Sequence, residues 1–180
     1  MSASTNGPAA PARAAARGTA ARLPGRSLVA GLLLGIGTAT TVDEVVFHQI
    51  LQWHHFYDRS TTQAGIVSDG ILHAVGWAAA IGSLFLLADL QRRRALSRPR
   101  WTGGLLLGAG GFQLYDGTIQ HKFMGLHQIR YGVDLAAYDA VWNAVGAALL
   151  VAGLVLVLRS RAADRADARA ADDGRGAAGA

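Results

Sequence analysis

Six histidines occur in this 180-residue chain, and three of them, His48, His54 and His55, crowd into the eight residues HQILQWHH. The others are His73, His121 and His127. Imidazole set among carboxylates does two kinds of chemistry: it ligates zinc, copper or iron, and it exchanges protons near neutral pH. The sequence contains no cysteine, which excludes thiolate sites and iron–sulfur clusters from these residues. Any metal here is held by nitrogen and oxygen.

These residues sit at the ends of apolar runs. Half of the chain is hydrophobic, and its charges are pushed to the two ends and one central cluster, which is the composition of a membrane protein. Four apolar segments, Ser27 to about Phe47, Ile71 to Ala88, Trp101 to about Ile119 and Leu135 to Leu158, each supply most of the ~20 residues that cross a ~30 Å hydrocarbon core. The expectation is an all-α protein with four transmembrane helices. Fourteen of the seventeen basic residues lie before Ser27, in the turn QRRRALSRPR or after Leu158, against Arg59, Lys122 and Arg130 in the other connections. The positive-inside rule then puts both termini in the cytoplasm of a multi-pass inner (cytoplasmic) membrane protein. Basic residues that flank spans give no reason to expect a nucleic-acid partner; the expected partners are the lipid bilayer and a second copy of the chain, or a membrane redox or metal-handling protein. The leader precedes an apolar stretch too long for a cleavable signal peptide, so the first span is expected to act as its own insertion signal. Residues 1–26 and 159–180 are low-complexity Ala, Arg, Gly and Asp and are expected to be disordered cytoplasmic tails around a membrane domain at 27–158.

The chain also repeats itself. GLLLGIGTATTVDEVVFHQILQWHH from Gly31 aligns without a gap on GLLLGAGGFQLYDGTIQHKFMGLHQ from Gly104, pairing Asp43 with Asp116, His48 with His121 and His54 with His127. SDGILHAVGWA aligns on YDAVWNAVGAA, pairing Asp69 with Asp139 and His73 with Asn143. This predicts two tandem two-helix repeats, about 27–90 and 101–158, forming a four-helix bundle with a pseudo-two-fold axis along the membrane normal.

At ~1.5 Å per residue, a first helix from Ser27 carries Asp43 roughly 24 Å along and His54 roughly 41 Å along. The other helices bring their acids and histidines to the same outer layer, while the cytoplasmic halves are almost purely apolar. On an ideal helix Asp43 and His54 share one stripe, and Glu44, His48 and His55 form a second about 100° round. The expected metal-ligand pool is His48, His54, His73, His121 and His127, with Asp43, Asp69, Asp116 and Asp139 as ligands or as orienting partners; His55 and Glu44 rank lower, because the second repeat lacks them.

A non-haem transition-metal site for zinc, copper or iron is the first reading. Three others stay open: a haem-binding electron-transfer protein with His48 and His121 as axial ligands, a metal-dependent hydrolase or oxidase acting on a lipid or quinone, and a structural membrane protein with a hydrogen-bonded polar cluster. No HExxH, GxSxG or other catalytic motif is present, so the sequence assigns no catalytic residue.

VDEVVFHQILQWHH, SDGILHAVGW, DGTIQHKFMGLHQIR and YDAVWN resemble the signature segments of the bacterial predicted-membrane-protein family known as domain of unknown function 2243. The likeness covers about residues 27–158. It implies a four-span protein of the bacterial cell envelope and brings no established activity. The matched positions are Asp43, His48, His54, His55, Asp69, His73, Asp116, His121, His127 and Asp139, and Glu44 stands where a glycine is expected.

Overall fold

The computed structural model describes residues 22–178 and is all-helical over them. Helix α1 covers Pro24–Val42, α2 Thr62–Arg92, α3 Arg98–Leu114 and α4 Leu135–Ala178. Two π-helical segments, Asp43–Ile50 and Tyr115–Phe123, continue α1 and α3 directly. Pro24 and Pro99 sit in the first turns of α1 and α3, where a missing N–H costs nothing. Thr61 caps α2, its hydroxyl accepting from the Ala64 N–H at 3.2 Å.

Glycine decides how these helices pack. A Cβ placed on Gly31 or Gly35 would overlap the carbonyls of Trp101 or Leu105 in α3, and one on Gly104 or Gly108 would overlap those of Leu28 or Leu32 in α1. The two backbones therefore lie against each other, as small residues allow in membrane helices. Gly37 meets the Gly76 carbonyl of α2, with its Cβ position 2.6 Å away, and Gly110 meets the Gly146 carbonyl of α4 at 2.7 Å. The result is a row, α2–α1–α3–α4, in which α2 and α4 flank the central pair and make no close backbone contact with each other. Among the described residues the four helices expected of the bundle are packed through α1 and α3, and α2 meets only the α1 side while α4 meets only the α3 side.

The distribution of polarity is inverted relative to a water-soluble core. Fully buried side chains include His48, His121, His127, Gln120, Glu44, Asp69 and Asp116, whereas Ile66, Val67, Ile71, Phe85, Val141, Val151 and Leu158 are exposed on the outer helices. In water such apolar faces are liabilities; in lipid they are the solvated surface. Three helical stretches, Pro24–Ile50, Thr62–Arg92 and Leu135–Arg175, are long and apolar enough to cross a membrane. The stretch from Arg98 to Phe123 is long enough but falls short in hydropathy, because it carries five glycines in α3 and a polar π segment.

At the basic end, Leu23 N–H donates to Ala95 O at 2.8 Å and Ser97 N–H to Ser27 Oγ at 3.0 Å, tying the start of α1 to the α2–α3 turn. The C-terminal tail, expected to be disordered from 159, instead extends α4 to Ala178. Its alanines favour helix, and Arg100 holds Asp164 at 2.7 Å. The expectation for the N-terminal tail falls mostly outside the described residues, although Pro24–Arg26 already belong to α1.

The seam yields a direct test. Gly35→Val should cost more than ~3 kcal/mol or abolish folding, since backbone cannot move aside, whereas Gly82→Ala, with nothing within 4 Å of the added carbon, should leave stability within ~1 kcal/mol of wild type. Thermal unfolding of the two variants in detergent measures the difference.

Candidate metal centre

The site begins where α1 and α3 widen. At Leu51 N–H→Val46 O (2.9 Å) and Met124 N–H→Ile119 O (2.7 Å) the backbone closes i→i+5 turns, and the next bonds, Trp53 N–H→Phe47 O and Leu126 N–H→Gln120 O, both 2.9 Å, end the helices. These pairs stand 73 residues apart, the spacing of the sequence repeat. π segments of eight and nine residues are long for a conformation that usually spans one turn and recurs at functional sites. Their effect on side chains is specific. On an α-helix, residues five apart diverge by about 140°; in the widened turn His48 Nε2 lies 3.5 Å from Asp43 Oδ2, and His121 Nε2 lies 3.0 Å from Asp116 Oδ2. The two stripes expected from ideal helical geometry are thereby merged.

His54 and His127 arrive from the loops. The chain turns inward through Gln52 (φ 51°) and Gly125 (φ 56°), left-handed residues again 73 apart. His54 Nδ1–H then donates to Ile129 O at 2.8 Å, and His127 Nδ1–H donates to Phe56 O at 2.9 Å. Each histidine thus binds the backbone of the other half of the chain. The two rings stack at 4.6 Å with 7° between their planes. Because each Nδ1 carries the proton, each Nε2 presents a lone pair, and both Nε2 atoms are buried without a hydrogen-bond partner.

The first repeat adds carboxylates. His48 Nδ1–H donates to Glu44 Oε1 at 2.8 Å and lies 3.1 Å from Asp69 Oδ1. Asp69 also accepts from His55 Nδ1–H at 2.6 Å and from Phe56 N–H at 2.7 Å. The second repeat has no such set. Gly117 replaces Glu44, and a Cβ there would meet Trp142 Cδ1 at 2.5 Å and Asn143 Oδ1 at 2.7 Å. Asp139, the counterpart of Asp69, is drawn off to Lys122 Nζ at 2.6 Å.

Of the expected ligand pool, the fold brings together Asp43, His48, His54, Asp69, Asp116, His121 and His127. Three overlapping sets, His54/His121/His127, Asp43/His48/His54 and Glu44/His48/Asp69, each offer ligand atoms within 4.8 Å of one another. His73 is left outside, its Nε2 accepting from Trp77 Nε1–H at 2.8 Å on a half-exposed face of α2. Asp139 is left outside by Lys122. Glu44 and His55, ranked low for lack of a repeat counterpart, lie within the network; the signal for Glu44 was its i, i+4 spacing to His48.

Two openings border the cluster. A cavity of about 710 Å³ lies where α1 and α4 flank α3, walled by Val42, Phe47, Trp53, Tyr138 and Trp142, with Asp43 as its carboxylate. A polar pocket of about 380 Å³, lined by Gln52, His54, His55, Asp58 and Tyr131, connects the loop surface with His54.

Burial, and then the neighbouring rings of His127 and His48, hold His54 well below the ordinary histidine value of 6.5. A histidine kept neutral in the fold but free to protonate when unfolded contributes stability that is complete above its unfolded pKa and is lost as pH falls below it. The melting temperature in detergent is therefore expected to be level above pH ~7 and to decline below pH ~6.5, and His54→Gln should flatten that decline; an equally steep decline in the variant would assign it to another group.

Comparison with curated proteins and with solved structures gives no match. Residues 30–160 match the family model described as Predicted membrane protein (DUF2243), a stretch that contains every residue of the cluster. The match covers well over half of the chain, and the protein belongs to this family of predicted membrane proteins, domain of unknown function 2243.

Proposed function

We propose that this membrane protein holds a non-haem transition-metal centre at one end of its helices, with Nε2 of His48, His54, His121 and His127 and the carboxylates of Asp43 and Asp116 as ligands. One observation carries the reading. Among the described residues, twelve buried side-chain polar atoms lack a hydrogen-bond partner, and seven of them belong to these six residues: Asp43 Oδ1, His48 Nε2, His54 Nε2, Asp116 Oδ2, both nitrogens of His121, and His127 Nε2. Each unsatisfied buried group costs about 1–3 kcal/mol. Several of them converge on one another without hydrogen-bond geometry, as His121 Nε2 on Asp116 Oδ2 at 3.0 Å and His48 Nε2 near Asp43 Oδ2 at 3.5 Å, in the manner of donor atoms that share a cation.

The surroundings support the same reading. Backbone carbonyls fix the tautomers of His54 and His127, and Glu44 with Asp69 fixes that of His48, the arrangement that orients imidazoles on a metal. Nitrogen and carboxylate oxygen together suit zinc, copper(II) or iron. The polar pocket beside His54 offers an ion an access path from the loop side. Crowding favours a naked ion over haem, since His54 stands 4.6 Å from both His48 and His127, and His127 stands 4.6 Å from His121, so each ring has another imidazole close against it.

In the membrane, we place all four helices across the bilayer as two tandem hairpins about a pseudo-two-fold axis. The matched glycine contacts, π segments, left-handed turns and crossed histidine bonds support this, and the glycine-rich α3 crosses shielded between α1 and α4. The basic α2–α3 turn and both termini then face the cytoplasm of a bacterial inner membrane, with the cluster on the opposite side.

Chain purified in detergent after metal-replete expression should contain stoichiometric transition metal by elemental analysis and show no Soret band. Removing a ligand, as in His127→Ala or His54→Ala, should abolish retention through desalting, while His73→Ala should leave metal content unchanged. Metal-free wild type would overturn the reading.

A further inference from the structure

We propose that the centre holds two divalent transition-metal ions in chemically unequal half-sites. The inference rests on the metal-centre reading and adds the number and the difference of the ions.

The donors sort into two sets, one from each repeat: Asp43, His48 and His54, and Asp116, His121 and His127. Within each set the two rings are 4.6 Å apart, for His48–His54 and for His121–His127 alike. Between sets, His48–His127 and His54–His121 are wider, at 6.3 and 5.9 Å, and the stacked His54–His127 pair alone is as close, at 4.6 Å, so that His54 reaches both sets. The stacked pair His54 and His127 forms the seam where the halves meet. Two imidazoles and a carboxylate per half provide three protein ligands for an ion, as at open catalytic metal sites.

The carboxylates around the two sets favour cations as their occupants. Asp43, Glu44, Asp69 and Asp116 are all 1–3% exposed. Their ion-pair partners are histidines alone; no arginine or lysine reaches any of the four among the described residues. Buried charges of one sign without counter-charge are strongly disfavoured. Divalent ions would supply the cationic partners that these four carboxylates lack.

The halves differ in what stands behind the ligands. His48 has Glu44 and Asp69 on its Nδ1, and Asp69 is braced by His55 and by the Phe56 N–H. A carboxylate there raises the basicity of the ligating nitrogen. His121 Nδ1 has no partner at all, since Gly117 stands in place of Glu44 and Asp139 is held by Lys122. The ion on the His48 side is accordingly the tighter one.

The test uses full-length chain, stripped with chelator in detergent and titrated with Co²⁺ or Zn²⁺, with the bound ions counted by elemental analysis. Two ions per chain are expected, binding in two steps. Glu44→Gln should weaken the tighter step by 10–100-fold and leave the other in place. Asp69→Asn should do the same, and circular dichroism with size-exclusion elution verifies that each variant remains folded. Loading with Cu²⁺ should give an electron paramagnetic resonance spectrum broadened by coupling between two ions. One ion per chain with an uncoupled spectrum would overturn the two-ion centre and leave the metal-centre reading standing. No bound ion would overturn both, and two ions equally insensitive to Glu44→Gln would overturn the inequality of the half-sites.

Discussion

The backbone contact between α1 and α3 governs the position of every buried donor. Gly31 and Gly35 lie against α3 while Gly104 and Gly108 lie against α1, so neither helix can slide or rotate without a carbonyl meeting a Cα. That fixed seam carries the two π segments side by side at one end of the molecule. It also brings the loops after them within hydrogen-bond reach, which permits His54 to bind Ile129 O and His127 to bind Phe56 O. Those crossed bonds in turn leave two Nε2 lone pairs facing the same interior as Asp43 and Asp116.

Placing so many ionisable groups at the end of membrane helices carries an energetic cost, and the chain confines that cost to one layer. Below the cluster the packing is glycine, alanine, serine and threonine against backbone, as in Ser83 Oγ–H→Ala30 O at 2.6 Å and Thr40 beside Gly76. Around it, Phe47 packs edge to face on Trp142 and Trp53 on Tyr138, while Phe47 and Trp53 are tilted by 49°. Arg130 lies over Trp53 and Tyr138 and donates to the Tyr138 hydroxyl, closing the loop side with a cation that does not enter the cluster.

Matched residue spacing made much of this visible in advance. Asp43, His48, His54, Asp116, His121 and His127 are identities between the two halves, and all six meet in the fold. Where the halves diverge, spacing along the chain does not tell which residues meet. Glu44 lacks a counterpart in the second half, yet it is buried and bonded to His48. Asp139 matches Asp69 in spacing, yet Lys122, which has no equivalent cation in the first half, draws it away. His73 shares a face of α2 with Asp69 on an ideal helix, but Trp77 one turn later holds it toward the outside. In each case a competing partner decided, and local spacing does not reveal the competitor.

By itself the sequence determined the membrane character, the helical class and the layer in which the polar residues gather, because hydropathy, charge flanks and residue spacing act locally along the chain. The row order α2–α1–α3–α4, the π widening that sets His48 over Asp43, and the crossed bonds of His54 and His127 were decided only by the tertiary structure. Each depends on how closely two backbones approach, and that distance is a property of the assembled glycine seam, which no single segment carries.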